Sequence, residues 1–381
     1  MSYFSGLSGL SGLSGLSGLS GLSGLSGLSG LGGLNLTGLG SFTGGAAPSS
    51  LMAQGLLTSA QAIMHVAMTD PDSGHDRTTA GPPAFRPLPF SDAGNMAAWE
   101  AWVRASLYLT DFIRGLDWTV SRDEQSITLR YEGSEFFSVA RPCAELFDRQ
   151  LELMRGYIDQ RAERAVEIVS QIGFPIDYFG MILGLNGPRN RYTLELITIT
   201  QVLASHVAMV VKHHLACRRP DRIGALMMPP IVTPGHGTFP SAHATEAFAV
   251  AQVLDGLLNV VPDHYPDADT RKSLIWKQAE RIAVNRTVAG VHFPIDTWAG
   301  AALGSVVGRL VLAKCDVLKE VGGFSYTAKD GDFRLHDFMR HPEAHGVDSL
   351  TPLQIECSDL FGWLWREVTA EFAVATQEGG V

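Results

Sequence analysis

Apolar side chains recur at intervals of three and four from Met96 to Leu116, the spacing that gathers them on one face of a helix. Asp117 to Tyr131 instead alternates apolar and polar positions, which predicts a small hairpin. The helical spacing returns at Pro142 and predicts one long amphipathic helix to about Ile172, followed by a loop with Gly173, Pro175 and Gly180. Further helices are expected at roughly Tyr192 to Cys217, Ser241 to Val260, Thr270 to Ala289 and Pro294 to Glu320. A less regular segment with Gly322, Gly323 and Gly331 precedes a last helix near Pro352 to Ala375. Helices with so little strand indicate an all-α fold, a helical bundle beginning near Ser91.

The chain upstream has a different period. Residues 5–31 are nine uninterrupted Ser-Gly-Leu units, continued more loosely from Gly32 to Gly45. A period of three fits neither helix nor strand, and the glycines make any single ordered backbone entropically costly. A disordered tail is therefore expected, joined through a Pro/Gly-rich linker around Gly81 to Pro89, so that residues 1–90 stand apart from a domain at 91–381. A sharper reading makes the evenly spaced leucines a docking tail for a partner.

Composition narrows the classes. Hydrophobic residues make up 45% of 381, ample for a core. The 29 Lys and Arg against 39 Asp and Glu leave an acidic surface, which disfavours nucleic-acid partners, so attraction for an anionic substrate must be local. Cys143, Cys217, Cys315 and Cys357 lie far apart without a Cys-x-x-Cys pair and read as free thiols of a reducing compartment. No basic stretch followed by a continuous apolar run marks the N-terminus as a secretory leader. The apolar stretches Leu196 to Val211 and Thr297 to Ala313 are interrupted by Gln201, Ser205 and His206 or by Arg309, and both are shorter than the ~20 clean residues of a bilayer span. The expectation is a soluble, cytoplasmic protein with no membrane span; oligomerisation is left open.

Three short stretches carry candidate chemistry. In the first, Lys212 and Arg219 are seven residues apart, and at ~100° per residue they return to one helical face, where two cations need an anion between them. Pro220 disfavours helix at Arg219, which leaves that guanidinium at a helix end, free to clamp. In the second, Pro240-Ser241-Ala242-His243, Ser241 reads as an N-cap. The free amides that follow it, Ala242 first, make an anion cradle, with His243 beside it as a proton donor. In the third, Arg286 and His292 are ~240° apart on a straight helix, but Gly290 suits the end of one helix and Pro294 the first turn of the next, and the bend lets both converge. Asp296 could then accept the proton on one ring nitrogen of His292 and leave the other free. Each stretch alone is equally compatible with a solvated basic face, a plain capped helix or a helix break.

Together they resemble the superfamily of type 2 phosphatidic acid phosphatases, bacterial class A acid phosphatases and vanadium-dependent haloperoxidases. The signature of that group is Lys-x6-Arg-Pro, then Pro-Ser-Gly-His, then Ser-Arg-x5-His-x3-Asp. Here the three read Lys212-x6-Arg219-Pro220, Pro240-Ser-Ala-His243 and Asn285-Arg286-x5-His292-x3-Asp296, nine of eleven positions matching within a motif core at 212–304. Ala242 stands where glycine is usual, a strain if the backbone there needs a positive φ. Asn285 replaces a serine that supports the oxyanion without touching it, so a small effect is expected.

The resemblance implies a helical catalytic domain and two chemistries on one site. In the phosphatases, which need no cofactor, the histidine matching His292 attacks phosphorus, Asp296 holds its ring and His243 protonates the leaving alcohol. Lys212, Arg219, Ser241, Ala242 and Arg286 would bind the oxyanion. In the haloperoxidases vanadate is the cofactor, bonded to His292, and halide plus hydrogen peroxide are the substrates. His236 lies where algal bromoperoxidases carry a second histidine that would tune the pocket, and Met209 replaces a tryptophan of the chloroperoxidases, so bromide or iodide is expected over chloride. The haloperoxidase is the preferred expectation, with a phosphomonoesterase or pyrophosphatase acting through a phosphohistidine as the alternative. A non-catalytic scaffold using the Ser-Gly-Leu tail is a third reading. Deleting residues 1–45 separates it from the others: an enzyme keeps its turnover in a steady-state assay, whereas a docking protein loses its partner.

Overall fold

A computed structural model describes residues 88–378, and the Ser-Gly-Leu tail and nearly all of the linker lie outside them. In chain order the main elements are α1 (Ala101–Gly115), β1 (Leu116–Ser121), β2 (Ser126–Tyr131), β3 (Ser134–Ala140), α2 (Ala144–Arg155), α3 (Arg161–Ser170) and α4 (Ile176–Leu183). The long helices α5 (Arg191–Leu215), α6 (Ala242–Val260), α7 (Ala268–Val288) and α8 (Pro294–Lys314) follow. Then come β4 (Glu320–Val321), β5 (Phe324–Tyr326), α9 (Leu335–Arg340), β6 (Val347–Ser349), β7 (Leu353–Gln354) and α10 (Asp359–Glu378). The fold is helical with a small mixed sheet, ordered β1-β2-β3-β5-β6, beside a two-stranded β4-β7 ladder.

Local patterns located the helices better than the sheet. The expected hairpin gains a third strand, β3, and the parallel pairing of Phe137–Val139 with Phe324–Tyr326 sews the N-terminal half to the C-terminal half. The single helix expected over 142–172 is two helices, because α2 stops at Gly156 and a short 3-10 turn precedes α3. The loop expected around Gly180 contains α4, which ends where Gly184 takes a left-handed conformation at φ 66°. α8 stops at Lys314 rather than near Glu320.

Helix α8 forms the centre of the bundle, with nearly every residue buried. Gly300, Gly304 and Gly308 repeat every fourth position on it, and this stripe lets α6 approach backbone to backbone. A methyl group at Gly300 would lie 2.6 Å from the Ser241 carbonyl, and one at Gly308 equally close to the Ala249 carbonyl. The amide of Ser241 also donates to the Asp296 carbonyl at 2.9 Å, which locks the starts of α6 and α8 together. From the other end, Glu371 of α10 accepts the Tyr192 and Thr193 amides at 2.7 and 3.0 Å and so caps the start of α5. A buried Arg104–Glu195 ion pair, 2.6 Å apart, joins α1 to α5.

The expectation of a cytoplasmic chain without a spanning helix is corrected here. The segment Arg191–Arg222 that contains α5, with a best-window hydropathy of 1.7, and Pro294–Lys314, at 1.2, are both long and apolar enough to cross a membrane. The interruptions at Gln201, Ser205, His206 and Arg309 do not disqualify them, because they are too few to lower the average over a span-length window. In the fold 78% and 94% of those windows are buried among other parts of the protein.

Candidate active site

The first stretch arrives by a different route from the one its spacing suggested. α5 ends at Leu215, Ala216 turns left-handed at φ 49°, and Arg219 lies beyond the helix in extended backbone at ψ 155°, as a residue before proline should. Lys212 and Arg219 therefore do not share a helical face. Both are nonetheless buried. Lys212 Nζ donates to the carbonyls of Gly237 and Thr238 at 2.9 and 2.8 Å, and so fixes the loop that leads into α6. The neighbouring His213 and His214 are exposed.

At the second stretch, Ser241 is the N-cap of α6, its hydroxyl accepting from the Ala244 amide at 3.3 Å. Ala242 opens the helix without a positive φ, so the strain expected from losing glycine does not arise. His243 Nε2 lies 2.8 Å from the Gln171 carbonyl. A carbonyl only accepts, so Nε2 carries the hydrogen and Nδ1 keeps its lone pair.

At the third stretch, α7 closes in a Schellman motif: the Gly290 amide donates to Thr287 at 2.8 Å and Val291 to Arg286 at 3.1 Å, with Gly290 at φ 78°. Pro294 then begins α8. The bend brings His292 back towards Arg286, as the sequence required. His292 Nδ1 sits 2.9 Å from Asp296 Oδ2, and its Nε2 sits 2.9 Å from Arg219 Nη1. A guanidinium only donates, so Nε2 is the lone-pair nitrogen and Nδ1–H points at the carboxylate. The same Oδ2 accepts the Phe293 amide at 3.0 Å and the Thr238 hydroxyl.

These pieces enclose a cavity of about 40 Å³ whose polar wall is Arg219, His236, Ala242, His243, Glu246, Arg286 and His292, with Ile172, Ile231, Val232, Pro234 and Val291 closing the rest. Lys212, Ser241 and Asp296 are not on that wall: Lys212 holds the Gly237 and Thr238 carbonyls, Ser241 the Ala244 amide and Asp296 the His292 ring. Arg286 gives Nη2 to the Ile168 carbonyl at 3.0 Å and to Gln171 Oε1 at 3.4 Å, while its buried Nε has no partner. Asn285 stands behind the wall, donating to Glu167 and Gln171, both at 2.9 Å.

Burial lowers the pKa of Arg219 and Arg286 to about 10, so both stay cationic at neutral pH. Burial, then Arg286, lowers His243 to about 3, and burial, then Lys212 and Arg219, lowers His236 to about 3. His292 is pushed well below the ordinary imidazole range by burial first and Arg219 next. Every imidazole on the wall is thus neutral beside fixed positive charge. Such a site is complementary to a small oxyanion, whose charge would offset both guanidinium groups. Three participants left no mark in the sequence: Gln171, which anchors His243 and Arg286; Thr238, which braces Asp296; and Glu246, three residues after His243 on the same face.

The PAP2 superfamily matches residues 193–316. Decaprenylphosphoryl-5-phosphoribose phosphatase from Mycobacterium tuberculosis, in strains CDC 1551 / Oshkosh and ATCC 25618 / H37Rv, is 31% identical over 135 residues, covering 34% of this chain and 68% of the relative. The crystal structure of the first transmembrane PAP2 type phosphatidylglycerolphosphate phosphatase from Bacillus subtilis aligns with 44% of this chain and 85% of its own, at 20% identity and a TM-score of 0.34.

Proposed function

The chain belongs to the PAP2 superfamily, and on that footing we propose that it is a phosphatase that cleaves a phosphomonoester through a phosphohistidine at His292. One observation carries the reading: His292 is fixed at both nitrogens, Nδ1–H by Asp296 and the Nε2 lone pair beside Arg219 on the cavity wall. A neutral imidazole held in this tautomer is a nucleophile once the oxyanion draws Arg219 Nη1 away from Nε2.

In the first half-reaction Nε2 attacks phosphorus, the N–P bond forms and the bond to the ester oxygen breaks. Asp296 stabilises the positive charge that develops on the ring. Arg219, Arg286 and the free amides at the start of α6 hold the equatorial oxygens, where charge accumulates most in the transition state. His243 must give the leaving oxygen a proton. Burial and Arg286 keep that ring deprotonated in the free enzyme; a phosphoryl dianion offsets the local positive charge and raises its proton affinity. In the second half-reaction water attacks the phosphohistidine, with neutral His243 taking its proton, and inorganic phosphate leaves.

The haloperoxidase expectation and its resident vanadate draw no support from the curated relatives, which are phosphatases by name. Vanadate then has another part: as a mimic of the trigonal-bipyramidal phosphoryl transition state it should inhibit. Purified full-length protein is expected to hydrolyse p-nitrophenyl phosphate with vanadate as a competitive inhibitor. Vanadate-dependent bromination by hydrogen peroxide, without hydrolysis, would reverse the assignment.

A further inference from the structure

Glu246 is the one carboxyl on the cavity wall, among the described residues. It sits one turn beyond His243 on α6, 2% exposed, in a place built for an anion. From α5 it is hydrogen-bonded by Ser205 and Gln201, and Lys212 on the same helix acts on it through space. Lys212 commits two of its three donors to the Gly237 and Thr238 carbonyls and acts on Glu246 by charge alone. Around the same cavity stand Arg286 from α7, Arg219 and His236 from the loops, His292 from the bend and His243 from α6 itself, with Asp296 of α8 behind His292. An ionised Glu246 would repel a phosphoryl dianion across a space of about 40 Å³. A protonated one would offer an O–H donor to a phosphoryl oxygen.

We propose that Glu246 is a specificity-determining residue of this site: the pocket takes a tetrahedral dianion only with the Glu246 carboxyl protonated, and that proton is then shared with the bound oxyanion. The inference rests on the oxyanion site proposed above. It is consistent with the free carboxyl, which burial first of all raises to about 7 against the opposing bonds from Ser205 and Gln201 and the charge of Lys212. The sign follows directly. Below pH 7 the carboxyl carries its proton and binding meets no repulsion; above pH 7 each bound dianion must draw a proton from solvent, and affinity falls by up to about tenfold per pH unit from this group alone.

Tungstate, a tetrahedral dianion throughout the range, tests this without turnover. Its binding to the full chain would be followed by calorimetry from pH 6 to 9, in buffers of different ionisation enthalpy. Native protein is expected to take up about one more proton per tungstate at pH 8 than at pH 6. E246Q, which keeps the shape and removes the charge, is expected to lose that increment and to bind roughly tenfold more tightly than native protein at pH 8, with little difference at pH 6. Equal proton uptake at pH 6 and pH 8 by His243→Ala protein, which lacks the imidazole whose proton affinity the dianion also raises, overturns the proposal even if E246Q does not fold. Superposable pH profiles for native and E246Q protein overturn it as well. Tungstate binding with the expected profile in a preparation that hydrolyses no phosphomonoester would leave this inference standing and remove the phosphatase reading instead.

Discussion

Replacing His292 with alanine is expected to lower kcat for phosphomonoester hydrolysis by ~10⁴-fold or more, a barrier increase of ~5.4 kcal/mol at 1.36 kcal/mol per decade. The size follows from the role. The remaining cations can still bind and polarise the phosphoryl group, but His292 is the imidazole on the wall whose ring Asp296 holds and whose developing charge that carboxylate stabilises. The fold should survive. His292 lies in the connection between α7 and α8, and the Asp296 carboxylate it leaves keeps the Phe293 amide and the Thr238 hydroxyl. The loss of one partner there costs about 1–3 kcal/mol. Far-UV circular dichroism should therefore be unchanged, while labelling with a ³²P-substrate, which should trap an acid-labile phosphoenzyme in the native protein, should yield none in the variant. A variant with native turnover would show that the nucleophile is elsewhere.

His243→Ala is expected to separate substrates by their leaving groups. For an alkyl phosphate, whose leaving oxygen needs a proton in the transition state, kcat/KM should fall ~10²–10⁴-fold. For p-nitrophenyl phosphate, whose leaving anion is stable, the first half-reaction should lose far less. The two effects would then differ by ~10-fold or more, and the phosphoenzyme should accumulate because its hydrolysis also loses the base. Equal losses on both substrates would mean that His243 positions the phosphoryl group without moving a proton. The preference of this ring for the neutral state adds a second reading. Burial and Arg286 hold it at about 3 in the free enzyme, so the proton must arrive with, or after, the anionic substrate. In a kcat/KM profile on the alkyl phosphate, the fall with rising pH that a general acid at His243 produces should vanish in His243→Ala.

Some of this site was legible along the chain because its rules are local. Proline before or within a helix start, a glycine at a helix end and a serine at an N-cap act over one or two turns. Thus Arg219, Gly290, Pro294 and Ser241 could each be given a backbone conformation from sequence. His292 lies just before the start of α8, so its pairing with Asp296 rests on the bend at Gly290 and Pro294 and not on helical spacing. Local reasoning failed at Lys212 and Arg219, where a left-handed Ala216 ended the helix early, and at the length of the helices on either side of Gly156. The missed strand β3 pairs with β2 across the tight turn at Glu132 and Gly133 and so was within local reach, whereas its other partner, β5, lies almost 190 residues away, where no window of the sequence reaches.

The sequence by itself determined the helical class, the three motif stretches and the local turns that aim them, because each depends on backbone preferences within a few residues. Only the tertiary structure decided that Lys212 and Asp296 stand behind the cavity wall rather than on it, and that Gln171 and Thr238 hold the two imidazoles. It alone turned Glu246 from an acidic residue on an apolar helix into part of the pocket. Those assignments depend on α8 meeting α6 along the glycine stripe and on a loop carbonyl or hydroxyl arriving within about 3 Å of its partner. Distances of that kind are set by how whole helices pack, and side-chain spacing along one chain does not encode them.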